Sequence, residues 1–165
     1  MIRRTTGRVL PVNGDGRVLL LHGWDPQRPE QSFWFSVGGA VDEGESLRDA
    51  AARELREEAG ITVDPGALGE PVASNTISFS WDGQQILQEQ TFFAVAVGPA
   101  EVSFDGQDEW ERATIDRHGW FSAAELLADP DPVHPGLPAL IDAAVARVSG
   151  SSGSSGSSGF SGFSG

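Results

Sequence analysis

The sequence contains no cysteine, which excludes disulfide bonds, thiolate metal sites and cysteine nucleophiles. It also lacks any run of about 18 apolar residues, the length that a membrane-spanning helix needs. Its N-terminal segment has no long apolar stretch followed by a small-residue cleavage site, so no signal peptide is predicted. We therefore expect a chain that does not span a membrane and that resides, by default, in the cytoplasm.

Basic residues are scarce. Lysine and arginine together number 11 against 24 acidic residues, which gives a formal net charge of −13. Binding to a nucleic acid polymer normally needs a positive field, so this charge argues against such a partner. Acidity of this kind often serves only solubility, but a few clustered carboxylates would also suffice to hold cations.

The length of 165 residues fits one domain, and 39% hydrophobic residues can build a core. Residues 1–148 are predicted to fold. From residue 149 the chain is a Ser-Gly repeat with phenylalanines at positions 160 and 163, a composition typical of a flexible coil. We expect residues 149–165 to be a flexible tail outside the fold, and its purpose stays open.

Short apolar runs and alternating patterns predict strands, and one of them is followed by the hairpin signal Asp82-Gly83. The predicted strands cover residues 18–21, 33–37, 77–81, 85–97 and 120–121. Apolar periodicity with start and stop residues predicts helices over 46–59, 122–128 and 138–148. Because these elements alternate without a βαβ repeat, the pattern favours a mixed sheet sandwiched by helices.

The first of these helices carries three carboxylates on one arc. With 3.6 residues per turn, Glu57 and Glu58 fall on either side of Glu54. Like charges at this spacing repel, and the helix C-terminus disfavours anions. A divalent cation with a preference for oxygen ligands would remove the repulsion. The ordinary alternative is a solvated acidic face, as most charge runs are.

Two details favour the cation site over the solvated face. Leu47, Ala51 and Leu55 lie on or beside the same arc, so the carboxylates border the buried side of the helix. A glycine-rich loop also precedes the helix, and backbone without side chains can approach a metal or a phosphate closely.

The same stretch resembles the signature of the Nudix family, the Nudix box. That pattern is Gly, five residues, Glu, seven residues, Arg-Glu, an aliphatic residue, any residue, Glu-Glu, any residue, Gly and an aliphatic residue. Its fixed positions are filled here by Gly39, Glu45, Arg53, Glu54, Leu55, Glu57, Glu58, Gly60 and Ile61. A chance match at so many specified positions is rare in a chain of this length. Val37 is a small departure, since many members have proline there.

The resemblance implies a Nudix-type αβα sandwich with a mixed β-sheet over residues 1–148. It implies that Glu54, Glu57 and Glu58 coordinate Mg²⁺ or Mn²⁺, with the Gly38 carbonyl as a further ligand. Arg53 would orient a carboxylate by ion pairing, which suits its i,i+4 relation to Glu57. Glu45 would order the loop around the site.

The chemistry that the resemblance implies is attack of water on a phosphoanhydride bond. The substrate would be a nucleoside diphosphate linked to another moiety: a nucleoside triphosphate, ADP-ribose or a nucleotide sugar. The product would be a nucleoside monophosphate. The partner would thus be a small nucleotide, and since members of the family are often dimers, a homodimer is left open.

Family members often use one more glutamate outside the box, as a base or as a ligand. Glu111 is our first candidate, and Glu109 and Glu89 are the alternatives. In some members this glutamate directly precedes the tryptophan of the last strand. Here Gly119 occupies that position, so that version does not apply. Taken alone, each of these glutamates would be read as a surface residue.

Substrate contacts are less specified by the sequence. Five strand aromatics could include a stacking platform for a base, although core packing is their commoner role: Phe33, Trp34, Phe35, Phe79 and Trp81. Four arginines could contact phosphate, although solvated surface positions are commoner: Arg3, Arg4, Arg8 and Arg28. The three histidines show no metal-binding spacing and are assigned no role.

Two other functions occur on this fold in the family that the chain resembles. A nucleotide-sensing module that binds without cutting usually has a damaged box, whereas this box is intact. Isomerisation of an isoprenoid diphosphate uses a catalytic cysteine in this family, and the chain has none. Hydrolysis is therefore the predicted function, with the sensing module as its alternative.

Overall fold

A computed structural model describes residues 1–157, in which six strands form one mixed sheet between helices. The strands are β1 (Ile2–Val12), β2 (Val18–Trp24), β3 (Ser32–Ala40), β4 (Ala73–Trp81), β5 (Gln84–Ala96) and β6 (Ile115–Phe121). The helices are α1 (Leu47–Ala59), α2 (Glu109–Thr114), α3 (Ala123–Ala128) and α4 (Leu137–Ser157), with a short 3-10 helix at Pro65–Leu68.

The strand order is β4-β5-β1-β3-β2-β6, and β1 runs parallel to β5 while the other paired strands are antiparallel. One face of the sheet packs on α1, where Val37 meets Leu55 in a buried cluster. The other face packs on α3 and α4, where Leu20 lies in a cluster with Leu126 and Ile141. The αβα sandwich with a mixed sheet is confirmed.

The ends of α1 follow the predicted signals. The Ser46 hydroxyl accepts a hydrogen bond from the Asp49 backbone N–H at 3.0 Å, which satisfies one of the free donors of the first turn. Gly60 ends the helix in the left-handed conformation at φ 74° and donates to the Arg56 carbonyl. The carboxylate helix therefore has the bounds that the sequence indicates.

Strand β1 is not among the predicted strands, and it lies inside the sheet between β5 and β3. Its first half is polar and reads as a loop. In the fold, Gly7 lies under α1, where a side-chain carbon would come within 2.5 Å of the Leu47 carbonyl oxygen. The glycine is therefore required for close packing of helix on sheet, and the neighbouring arginines face the opposite side.

Helix α2 is likewise not among the predicted helices. Asp108 and Glu111 form a reciprocal capping box at its start, and this signal is readable in the sequence. The helix is only one and a half turns long and carries no apolar stripe, so periodicity did not reveal it.

The last helix begins where predicted but is longer. The apolar stripe from Leu140 to Val148 packs against the sheet. The helix then continues to Ser157, past the predicted end at residue 148. The division into a domain of residues 1–148 and a flexible tail of residues 149–165 stays a prediction, because residues 158–165 lie outside the described part of the chain. Within residues 1–157, no helix combines the length and the hydropathy needed to cross a bilayer.

The predicted hairpin at Asp82-Gly83 is present, with both residues at positive φ, 51° and 79°. Its tip contacts the loop that follows β2. The Asp25 carboxylate accepts a hydrogen bond from the Asp82 backbone N–H at 2.9 Å. The rings of Phe33 and Trp81 also meet edge to face, with their centroids 6.5 Å apart. The sheet therefore curls so that its two ends enclose a cleft.

Candidate active site

The cleft has a volume of about 780 Å³ and lies between the curled sheet, the end of α1 and the start of α2. Residues of the Nudix-like stretch form one end of its lining, including Gly39, Glu54 and Glu58. Aromatic and amide side chains of β3, β4 and β5 line much of the rest, with arginines of β1 and leucines of α4 beside them. The cleft is thus large enough for a small organic phosphate and joins an acidic end to an aromatic one.

Three carboxylates converge at the acidic end. Glu54, Glu58 and Glu111 each offer an oxygen atom, and these atoms lie within 4.8 Å of one another. Gly39 makes this approach possible, since a side-chain carbon there would lie 2.4 Å from a Glu54 oxygen. Carboxylate oxygens at this spacing are the hard ligands that Mg²⁺ and Mn²⁺ prefer.

Burial makes this convergence electrostatically unfavourable without a cation. Glu58 is only 6% exposed, and its pKa is raised well above the ordinary value by desolvation, with a further contribution from the Glu54 charge. Burial also raises the pKa of Glu54. The charge of Arg53 opposes this upward shift, and the charge of Glu111 adds to it. These carboxylates therefore favour either protons or a positive ion beside them.

Glu58 is held by the glycine-rich loop. The Gly38 backbone N–H donates to the Glu58 carboxylate at 2.9 Å. Gly38 has a φ of +155°, and a side-chain carbon there would lie 2.8 Å from the Arg8 Cα. Only glycine fits this position, so the loop fixes both the Glu58 carboxylate and the backbone beside it.

Glu57 lies apart from the three converging carboxylates. Its side chain is 41% exposed, against 12% for Glu54, and it accepts a hydrogen bond from Arg53 at 3.2 Å. The helical arc that groups Glu54, Glu57 and Glu58 is therefore present, but only two of these side chains face Glu111.

Arg53 is the centre of a separate ion-pair network. Its guanidinium donates two hydrogen bonds to Glu45, at 2.8 and 3.0 Å, and others to Glu54 and the Ala40 carbonyl. These contacts raise the pKa of Arg53 and lower the pKa of Glu45, in each case chiefly through the hydrogen bonds between them. Glu45 also accepts from the Asp42 backbone N–H, so it joins the loop to the helix.

The three candidates for an extra glutamate separate clearly in space. Glu111 joins the carboxylate cluster, and its capping hydrogen bond with the Asp108 backbone N–H fixes its orientation. Glu109 and Glu89 are both exposed and belong to no such cluster within the described residues.

Two arginines of β1 line the cleft beside the carboxylates. Arg8 is buried, and it donates to both the hydroxyl and the carbonyl of Ser36 at 2.7 Å. Burial lowers the pKa of Arg8 and of Arg4, and the charges of Glu54 and Glu58 oppose this shift. The sequence alone suggested surface positions for these residues, which is wrong for Arg8. Strand β1 had not been recognised, so its inward face was unknown.

The aromatic candidates divide between core and cleft. Trp34 is 4% exposed and packs in the core against Phe121, and it also borders the cleft. Phe33, Phe35, Phe79 and Trp81 line the cleft, together with Trp24 and the half-exposed Trp110, which precedes Glu111. The rings of Phe79 and Trp81 provide apolar faces along the strand that carries Asn75.

Sequence reasoning missed a row of three amides on the floor of the cleft, formed by Asn75, Gln90 and Gln88. Gln88 donates to the Gln90 carbonyl at 2.7 Å, and Gln90 donates to the Asn75 carbonyl at 2.9 Å. Alternation along β4 and β5 would have placed the three side chains on one face. Nothing in the sequence indicated that this face is buried.

Comparison with known proteins agrees with this geometry. The sequence model of the NUDIX domain matches residues 1–143. The chain is 35% identical over 108 residues to the uncharacterized Nudix hydrolase YvcI of Bacillus subtilis, covering 65% of this chain and 58% of YvcI. It is 44% identical over 68 residues to the CTP pyrophosphohydrolase of Escherichia coli, covering 39% of this chain and 44% of that protein. The chain therefore spans about half the length of these curated relatives.

Solved structures share the fold. The dihydroneopterin triphosphate pyrophosphohydrolase of E. coli superposes with a TM-score of 0.60 at 22% identity, over 90% of this chain and all of that one (100%). At this identity the likeness concerns the fold alone.

Proposed function

This chain belongs to the Nudix family, and we propose that it hydrolyses a phosphoanhydride bond in a small nucleotide with the help of a divalent cation. The observation that carries the proposal is the convergence of Glu54, Glu58 and Glu111 at one end of a cleft with arginines beside it. The substrate would be a nucleoside diphosphate linked to another moiety, and the product a nucleoside monophosphate.

The residues at the acidic end fit Mg²⁺ or Mn²⁺. They all offer oxygen ligands, and burial, with neighbouring carboxylates adding to it, raises the pKa of Glu54 and Glu58. The adjoining glycines leave room for close approach. We propose Glu54, Glu58 and Glu111 as holders of the ion, with Glu57 at the rim and the Gly38 carbonyl as further ligands. When bound, such a cation polarises phosphate oxygens and lowers the pKa of water.

The chain's own residues would orient the substrate. Arg4 and Arg8 line the cleft and would present positive charge to the phosphates. The Arg8 side chain is held in place by its hydrogen bonds to Ser36. Arg53 does not line the cleft. It acts by holding Glu54 and Glu57 in place through hydrogen bonds and is a positioning residue.

Glu111 is the proposed additional glutamate, and its role as a base or as a ligand can be separated by experiment. As a ligand, its replacement by glutamine would weaken Mn²⁺ binding measured by electron paramagnetic resonance. As a base, the same change would leave Mn²⁺ affinity intact and lower kcat. Glu109→Gln is the matched control on the same helix, since Glu109 is exposed.

One relative supports nucleoside triphosphates within the wider class. The E. coli relative with 44% identity over the matched segment is a CTP pyrophosphohydrolase. A cytoplasmic location, where such nucleotides are abundant, is part of the same proposal. We leave a homodimer open, and sedimentation of the purified chain would decide it.

The first test is product release from a panel of nucleoside triphosphates, ADP-ribose, dinucleoside polyphosphates and nucleotide sugars, with Mg²⁺ and with chelator. Mass spectrometry identifies the bond that is cut. We expect metal-dependent release of a nucleoside monophosphate that collapses in Glu54→Gln. Unchanged turnover in that variant would remove Glu54 from the site. Tight nucleotide binding without any product would instead favour the sensing module.

A further inference from the structure

We infer that the amide row, formed by Asn75, Gln90 and Gln88, reads the base of the substrate and selects bases that carry a ring carbonyl. This inference rests on the proposed function and specifies its substrate class. It would make the amide row the specificity-determining element of the cleft.

Burial of the row is the first argument. Gln88 is 4% exposed and Gln90 is 8% exposed, although both line the cleft. Glutamine is rarely buried to this degree, because an amide taken out of water without full hydrogen bonding is costly. A row of largely buried amides at the floor of the cleft therefore presents its remaining polar atoms to whatever the cleft holds.

The hydrogen-bonding capacity that remains is the second argument. Each amide carries two N–H donors and one carbonyl. The row uses one donor of Gln88 and one of Gln90, and no other described residue bonds to these side chains. Four N–H donors remain, together with the Gln88 carbonyl and one lone pair on each of the other two carbonyls. A ring carbonyl, which offers two lone pairs to such donors, is a matching group on a ligand.

Position is the third argument. In the strand register, Gln90 pairs with Thr6, and Thr6 pairs with Ala40 at the glycine-rich loop. Neighbouring strands are about 4.8 Å apart, and two such spacings separate Gln90 from Ala40. The row therefore lies roughly 10 Å from the acidic end. A ribose with its phosphate can bridge that distance. Arg4 pairs with Gln88 and thus lies between the row and the carboxylates.

The surroundings suit a neutral heterocycle. Ile77, Phe79 and Trp81 continue the Asn75 face of β4 and line the cleft. Flat apolar faces next to amides provide stacking for a ring and hydrogen bonds for its edge. Adenine has no ring carbonyl and offers only ring nitrogens with one lone pair each, whereas cytosine and guanine each carry one ring carbonyl and uracil carries two.

The test compares kcat/KM for CTP, UTP, GTP and ATP in the wild type, Gln88→Met and Gln90→Met. We expect the wild type to favour at least one carbonyl-bearing base over adenine. Each variant should lose about tenfold to a hundredfold with that base, since buried partners are left unpaired, and less than about threefold with ATP. Gln85→Met, an exposed position on the same strand, is the matched control and should change nothing.

Binding of the four nucleoside monophosphates by calorimetry, without metal, gives a readout independent of turnover. The preferred base should bind more weakly to the variants. If a buried variant does not fold, Asn75→Ala at the half-buried end of the row replaces it. Equal losses for all four bases, or a wild type without preference, would overturn the inference. If no nucleotide is cut but the monophosphates bind with this selectivity, the proposed function fails and the amide row stands.

Discussion

The carboxylates around α1 fall into two groups that differ in what faces them. Glu45 and Glu57 face the Arg53 guanidinium, and they order the loop and the helix. Glu58 and Glu111 face other carboxylates across the end of the cleft, and Glu54 contacts both groups. Charges that are matched within the fold serve its structure. Charges that are left facing one another, and buried, create a demand for a cation from outside.

The largest effect should come from the unmatched group. Glu58→Gln keeps the side-chain size and the acceptor for the Gly38 N–H but removes the charge. Stabilisation of transition-state charge by a metal amounts to several kcal/mol, so we expect turnover to fall by at least about 10³-fold. Steady-state kinetics with saturating Mg²⁺ measures this. Glu101→Gln, an exposed acidic position, is the control, and a loss below tenfold in Glu58→Gln would remove Glu58 from the metal site.

The matched group should matter less. Arg53→Lys keeps the charge but loses the planar fork that contacts Glu45, Glu54 and Glu57. Residues that orient metal ligands typically contribute about 10- to 100-fold to metal affinity or activity. We expect a loss in that range, with a raised Mg²⁺ requirement that excess metal partly restores. A loss as large as that of Glu58→Gln would mean that Arg53 acts on the substrate itself.

Stability should change in the opposite direction to activity. Because the pKa of Glu58 is raised in the folded state, its proton stabilises the metal-free fold at low pH, and that stability is lost as the pH rises through the folded pKa. Glu58→Gln should therefore raise the Tm of metal-free protein at neutral pH, by about 2–4 °C for each kcal/mol gained.

The same comparison predicts the pH dependence of this gain. The difference in Tm between variant and wild type should grow with rising pH and shrink toward pH values near the ordinary glutamate pKa. Differential scanning calorimetry with chelator, at several pH values, measures it. A variant that melts below the wild type at every pH would contradict the account of Glu58 as an unmatched charge.

The smallest effect concerns a matched pair far from the cleft. Glu125 accepts a hydrogen bond from Arg17 at 2.8 Å. This bond is the main reason that the pKa of Glu125 is lowered to about 2. A lowered pKa gives stability that is present above the ordinary pKa and is lost as the pH falls toward 2. Glu125→Gln should flatten the acid limb of the stability curve between about pH 4.5 and 2 and leave turnover unchanged. An unaltered acid limb would show that this exposed pair contributes nothing.

The sequence predicted those features that depend on neighbouring residues in the chain. The ends of α1, the hairpin at Asp82-Gly83 and the stripe of α4 each follow from local spacing, and the structure confirms them. The box likewise brought Glu54 and Glu58 to attention, because their spacing alone puts them on one arc of a helix.

Other features depend on contacts between distant parts of the chain. Glu58 is buried and Glu57 is not because Gly38 and Gly39 of β3 pack against one side of α1. A helical wheel of α1 carries no information about this contact with another strand. The polar half of β1 has no apolar alternation, since its Arg4 and Arg8 line the cleft. The amide row was missed for the same reason, because glutamines on a strand read as solvent-exposed until the cleft is known.

The most direct test of the central claim is a titration of the metal-free protein with Mn²⁺, followed by electron paramagnetic resonance, in the wild type and in Glu58→Gln. If the unmatched carboxylates hold the cation, the wild type will bind Mn²⁺ and the variant will bind it at least tenfold more weakly. Equal Mn²⁺ binding by the two proteins would contradict the assignment of the metal to Glu54, Glu58 and Glu111.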